Sequence, residues 1–200
     1  MRTIDSSLHE RLKHLEDDLA FRPPRFVRVQ SMPYALFHYH PQDERELRRA
    51  LNNLATRLRH KGWRVHFLSL ARLLWQAIEE SEGLEALLEL ERAEGFQAVQ
   101  EQVFTYLTED LWSPLPRLVA EAIAELPATD PARDLVFLYR AGVFAPYMYR
   151  ISGLINELAT YRVAVPVVLF YPGTREGTFG LRYMDLKERE VSGNYRVQVY

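Results

Sequence analysis

The sequence predicts an α/β fold: a three-layer sandwich around a mainly parallel sheet, Rossmann-like in character, with a helical insertion at about residues 70–126. Three observations carry that prediction. Four short runs rich in β-branched and aromatic residues, MPYALFHYH, WRVHFLSL, DLVFLYR and VPVVLFY, alternate with stretches of helical spacing. Alternation of this kind pairs strands in parallel through right-handed crossovers. The last two runs are almost continuously apolar, as strands covered on both faces are. Between the second and third runs the pattern is helical throughout, and no repeat or low-complexity linker divides residues 1–200, which reads as a single domain.

Each element follows from local chemistry. Residues 7–20 form an amphipathic helix, with Leu8, Leu12, Leu15 and Leu19 at helical spacing. Ser7 followed three residues later by Glu10 is a capping-box pattern. Pro23 and Pro24 end this helix. Arg22, Arg25 and Arg28 then make a short basic stretch, read as solvated linker or a small anion site. The first strand, 32–40, lies between Pro33 and Pro41. A helix over 42–61 has Asp43, Glu44 and Glu46 in its first turn and Arg57, Arg59 and Lys61 in its last, an order that complements the helix dipole. Leu47, Leu51, Leu54 and Leu58 are its buried stripe, and Gly62 stops it.

The second strand is 63–70. In the helical region, residues 79–94 carry Glu79, Glu80, Glu82, Glu85, Glu89, Glu91 and Glu94 against Arg92 alone. Such a run is a solvated face or an acidic docking surface. The third strand, 134–140, leads through AGVFA into a helix with Pro146 near its first position, running to about Ala159. The fourth strand is 165–171. Two short tail strands, LRYM (181–184) and NYRVQVY (194–200), extend one edge.

Composition narrows the function classes. With 25 Lys and Arg against 27 Asp and Glu, the chain is not a wholly basic nucleic-acid binder. The absence of cysteine removes disulfides and cysteine-based metal or redox sites. The polar start, MRTIDSSLHERL, does not read as a signal peptide, and no apolar run is long enough to span a bilayer. The expectation is a cytoplasmic protein with no membrane attachment.

In an open parallel sheet, ligands bind beyond the carboxyl ends of the strands. That rule selects His40–Asp43, Ser69–Leu73, Arg140–Pro146 and Tyr171–Gly180. Arg140, Thr174, Arg175, Glu176 and Thr178 would then share an edge, with Gly142 and Pro146 on one loop and Tyr171, Pro172, Gly173 and Gly177 on another. YPGTREGTFG is not a Walker A loop, because it lacks the Lys and leads toward a strand. G-x-G-x-x-G and G-x-S-x-G are also absent from the chain. Its glycines serve tight turns or a partner- or anion-binding loop. His38 and His40 alternate on one side of a strand, with Asp43 as the nearest carboxylate, which leaves a metal hydrolase as a third-ranked reading; no metal or other cofactor is expected. His9 and His14 are five apart and do not share the helix face that a zinc motif needs. Tyr147, Tyr149 and Arg150 are a stacking platform for a base or simply core.

RLRHKGWRVHFLSLARLLW, DLVFLYRAG with its aromatic-proline sequel, VPVVLFYPGTREG, GLRYM and NYRVQVY together resemble the BrxB family of BREX phage-exclusion systems. The resemblance follows the order of these blocks across almost the whole chain. It implies a part in antiviral defence beside a PglZ-type alkaline-phosphatase-like protein, a large ATPase and a DNA methyltransferase. It transfers no catalytic residue. Strands without a Walker A also look like a degenerate P-loop domain, by analogy alone. The expectation is a non-enzymatic adaptor that docks on the PglZ-like protein. The alternative is a nucleotide- or nucleic-acid-binding module of the same system.

Overall fold

The four apolar runs become the four principal strands. The computed structural model describes residues 7–30, 32–127, 129–147, 149–177, 180–187 and 197–200. Its strands are β1 (Tyr34–Tyr39), β2 (Arg64–Ser69), β3 (Asp134–Tyr139), β4 (Val167–Glu176), β5 (Gly180–Tyr183) and β6 (Gln198–Val199). The sheet runs β2–β3–β4–β1–β6, and β5 pairs with β4 outside that path. β1 lies parallel to β4, from Tyr34 opposite Val167 to Tyr39 opposite Pro172, and parallel to β6, with Ala35 opposite Gln198. The observed class is the expected one: α/β, with a mainly parallel central sheet flanked by helices as in a three-layer sandwich. Residues 194–196 of the tail-strand expectation lie outside the described residues.

The chain packs as two compact units, Met1–Phe67 with Ala128–Phe137 and Ala164–Tyr200, and Leu68–Pro127 with Leu138–Val163. In the first unit, α1 (Leu8–Asp18) and α3 (Glu44–His60) accompany the sheet. The predicted capping box is present, with Ser7 Oγ accepting from Glu10 N–H and Glu10 accepting from Ser7 N–H. Leu47, Leu51, Leu54 and Leu58 are all at or below 1 % exposure, as the stripe required. Glu16 of α1 bridges to Arg57 at 2.8 Å and Lys61 at 2.7 Å on α3.

One phenylalanine from each principal strand forms a row across this unit. Ring centroids are 5.5 Å apart for Phe37–Phe170, 5.1 Å for Phe170–Phe137 and 5.5 Å for Phe137–Phe67. Tilted and edge-to-face pairs of this kind add about 0.5–1.5 kcal/mol each beyond burial. Phe37, Phe137 and Phe170 are fully buried.

Asp134, fully buried at the start of β3, fastens that strand to β2. It accepts from Arg64 Nε at 2.9 Å and Nη2 at 2.5 Å, from His66 Nε2 at 2.7 Å and from the Asp130 amide at 2.6 Å. Burial alone would raise its pKa. The hydrogen bonds from Arg64, His66 and Asp130 outweigh that and hold the carboxyl below its ordinary value of 3.8.

Two local expectations are corrected. The basic stretch after Pro24 is helical, α2 (Arg25–Gln30), and its arginines are engaged. Arg22 stacks on Trp63 and donates to Lys61 O, Arg25 stacks on Phe21 beside Asp18, and Arg28 donates to Arg22 O. The linker and anion-site readings fail because aromatic faces and carbonyls already hold the guanidiniums.

The second unit contains α4 (Leu70–Glu80), α5 (Gly83–Glu94), α6 (Phe96–Thr108), α7 (Leu115–Ala124) and α8 (Ile151–Leu158). Part of the acidic run is engaged although exposed: Tyr106 donates to Glu82, and Ser113 to Glu80 at 2.9 Å. The helix expected at Pro146 begins only at Ile151. Arg140 is left-handed (φ +64°) and starts a 3-10 turn, Ala141–Phe144, which buries Ala141 and Phe144 before α8 can form.

If Asp134 carries this fastening, Asp134→Ala should cost about 3 kcal/mol in urea unfolding at neutral pH. A carboxyl depressed in the folded state stabilises fully above its unfolded pKa, and that contribution is lost as pH falls through the folded value. The stability gap between wild type and variant should therefore narrow below about pH 4. A gap that stays constant into the acid range would remove this assignment.

Candidate functional site at the end of the fourth strand

VVLFYPGTRE is one continuous strand. The expectation of a loop from Tyr171 is overturned by β5, which pairs antiparallel with the second half of β4: Gly173 opposite Tyr183, Thr174 opposite Arg182, Arg175 opposite Leu181 and Glu176 opposite Gly180. β4 therefore leaves the parallel sheet as the first arm of a hairpin. The physical reason is the LRYM segment, whose backbone supplies hydrogen-bond partners where a loop would have met water.

Along this arm exposure rises stepwise. Tyr171, Pro172 and Gly173 are buried, Thr174 is intermediate, and Arg175, Glu176 and Gly177 are exposed. Tyr171 packs edge-on against Tyr183 at 5.5 Å. Glu176 pairs with Arg182 across the hairpin. Thr178, also expected here, lies outside the described residues. Gly177 has φ +65° at the turn, with open space around its missing side chain. Gly173 is different: a Cβ there would lie 2.3 Å from the Arg182 carbonyl oxygen and 2.8 Å from Tyr171 Cε1. Close approach, not a turn, demands this glycine.

The hairpin base is fixed by three side chains. Thr174 Oγ1 donates to Asp185 Oδ1 at 2.6 Å, and His40 Nε2 meets Asp185 Oδ2 at 3.3 Å. His40 Nδ1 accepts from the Gln42 amide at 3.3 Å, so Nε2 is the nitrogen that donates to the carboxylate. Met184 and Asp185, both left-handed (φ +53° and +56°), turn the chain so that Asp185 reaches Thr174. The Met184 amide donates to Pro172 O at 2.8 Å. Because the threonine donates to the carboxylate and not to the imidazole, His40 is not placed to take the hydroxyl proton. Nearby, Tyr39 donates to Glu44; burial and then that carboxylate push the phenol well above its ordinary range.

His38 does not join this cluster. It is 3 % exposed, with its ring 3.1 Å from Arg11 Nη1, while His40 belongs to Asp185. Among the described residues, no group of three or more His, Asp or Glu is placed to hold a metal ion. The sequence offered no signal for the His40–Asp185 pair, because the two residues are remote in the chain and meet only through the left-handed pair at Met184 and Asp185.

Arg140, Gly142 and Pro146 belong to the second unit, whereas Tyr171–Gly177 belong to the first. Arg140 and Pro146 are exposed and Gly142 is half-buried on the 3-10 turn. The Pro146 carbonyl accepts from Gln100 of α6. Tyr149 is 3 % exposed and packs on Phe144 at 5.4 Å, so Tyr147, Tyr149 and Arg150 are not an open stacking platform. Burial, then Glu157 and Tyr161, raise the Tyr149 phenol far above its ordinary pKa.

A family model described as BREX protein BrxB matches residues 66–198, from within β2 into β6. No curated protein and no solved structure matches the chain.

The two glycines of the hairpin separate its constraints. Gly173→Ala should destabilise by about 3 kcal/mol, because a backbone carbonyl cannot move aside as a flexible side chain can. Gly177→Ala should cost only about 1–2 kcal/mol, the strain of a left-handed residue in open space. Thermal unfolding of both variants tests the order, and equal losses would show that β4 and β5 do not approach as described.

Proposed function

The chain belongs to the BrxB family, which makes it a component of a BREX phage-defence system, and from that premise we propose that it is a non-enzymatic adaptor in that system, docking on the PglZ-like alkaline-phosphatase-type protein. The observation that supports this reading is the hairpin. Its root is immobilised by the Tyr171–Tyr183 contact and by the hydrogen bonds of Thr174, Asp185 and His40. Its tip presents Arg175, Glu176 and Gly177 to solvent. A rigid root with an exposed, charged tip suits recognition, since little conformational freedom remains to be lost on binding. The exposed residues flanking the 3-10 turn, Arg140 and Pro146, are a second contact surface in this proposal. No helix among the described residues is long and apolar enough to cross a membrane; the proposed partners are proteins of the same system.

The test is affinity capture of the tagged chain from cells that carry the whole operon, after nuclease treatment at moderate salt. Stoichiometric recovery of the PglZ-like protein is expected. Arg175→Glu should lower that recovery about tenfold, equivalent to about 1.4 kcal/mol, and weaken phage protection with unchanged melting. Arg175 is the cleaner probe, because Glu176 also holds Arg182. Capture of the chain alone would sink the adaptor reading. Full recovery with a folded Arg175→Glu variant would instead move the interface away from the hairpin.

A further inference from the structure

The outward face of α3 is rich in arginine, with one exposed acid, Glu46, at its border. The inward face is fixed by Leu47, Leu51, Leu54, Ala55 and Leu58, all buried. At 100° per residue, Arg45, Arg49, Thr56 and His60 stand opposite that face and Arg48, Asn52 and Arg59 along one side of it, all exposed. The helix's two acids have partners: Glu44 accepts from Tyr39, and Glu46, exposed at the border of this face, meets His9 at 3.4 Å. Arg57, on the flank, is held by Glu16. Arg45, Arg48 and Arg49 make no ion pair among the described residues, and Arg59 only reaches the Val65 carbonyl at 3.2 Å.

The near-neutral net charge hides this face. Ten of the 27 acids and one of the 25 cations lie in residues 73–116, so the remainder of the chain sets 24 cations against 17 acids. From Arg45 to Arg59 the axial distance is about 21 Å at 1.5 Å per residue. That spans roughly six phosphates of one duplex strand at 3.4 Å each. Guanidinium groups suit phosphate oxygens through their paired donors, and the exposed Asn52 adds an amide donor beside them.

We propose that the outward face of α3 binds the phosphodiester backbone of double-stranded nucleic acid, without reading its sequence. Four arginines spread along one side of a 17-residue helix fit an extended polyanion. An anionic membrane surface is the weaker fit, because a helix lying on lipid inserts an apolar face and every leucine of α3 is already buried. The inference is independent of the adaptor reading: α3 lies outside the matched span 66–198 and outside the hairpin.

The test is fluorescence anisotropy with two unrelated 20-base-pair DNA duplexes, titrated from 25 to 200 mM salt. The two sequences should bind alike, with log K falling against log salt at a slope of about −3 to −4 for four phosphate contacts. The variant Arg45→Ala/Arg48→Ala/Arg49→Ala should lose at least about tenfold in affinity at low salt and flatten the slope to about −1. Circular dichroism should be unchanged, since all three side chains are exposed. Arg133→Ala, an exposed arginine paired with Asp130, should bind as wild type. The proposal is overturned by absence of binding at 25 mM salt, by equal loss in Arg133→Ala, or by undiminished binding of the triple variant. Binding to vesicles of anionic phospholipid but not to duplex would assign the face to a membrane and overturn it likewise.

Discussion

The row Phe67–Phe137–Phe170–Phe37 is the contact on which the sheet depends. Each ring comes from a different strand, and each strand is separated from its sheet neighbour by a long excursion of chain. Strand β3 joins β2 only after the helical insertion has been traversed, and β4 joins β1 across most of the sequence. Closing such loops costs entropy before any contact is gained, so the returning strand needs a marker that admits one register. A one-residue slip of any of these strands would turn its phenylalanine to the other face and break the row. Asp134 sets the same register by charge, since only one placement of β3 delivers the carboxylate to Arg64 and His66 together. Apolar and ionic markers on the same strand therefore select one alignment.

Much of this was legible in the sequence. The four strands, the leucine stripe of α3 and the capping box at Ser7 each depend on residues close in the chain, where spacing alone states the outcome. What was not legible depends on partners far away. YPGTREG reads as a loop until LRYM is laid beside it, because nothing within the segment announces an antiparallel neighbour. Arg22, Arg25 and Arg28 read as solvated until Trp63 and Phe21 provide faces to stack on. Pro146 reads as a helix start until the left-handed Arg140 and the buried Phe144 divert the chain into a 3-10 turn. The candidate site divides in the same way. Arg175, Glu176 and Gly177 were selected by a rule that ended the strand at Tyr171, whereas they lie on and just beyond its hairpin half, and His40 and Asp185 meet only through tertiary structure.

Charge is distributed here by segment, not by residue type. Carboxylates concentrate on the helices after β2, while α3 turns unpaired guanidiniums outward. In the first unit the largely buried carboxylates of Glu16 and Asp134 each hold two cationic or imidazole partners, while Glu46–His9 and Asp130–Arg133 are exposed pairs. Among the described residues Arg45, Arg48 and Arg49 are exposed cations without an ion pair, and the summed charge of the chain says little about the field at either surface.

The span that matches the family begins at residue 66, inside β2 and two residues beyond Arg64. That boundary follows resemblance, and the fold does not respect it. β1 is the neighbour of both β4 and β6, and it lies wholly before residue 66. A fragment cut there would keep the hairpin and the helical insertion, yet present the apolar flank Val167–Tyr171 as an open edge, with β6 deprived of its neighbour and Asp134 of Arg64. Open edges of that kind recruit other strands. The segment by which the chain is recognised is thus a unit of descent and not a unit of folding, and material made from it alone would be prone to associate through β4.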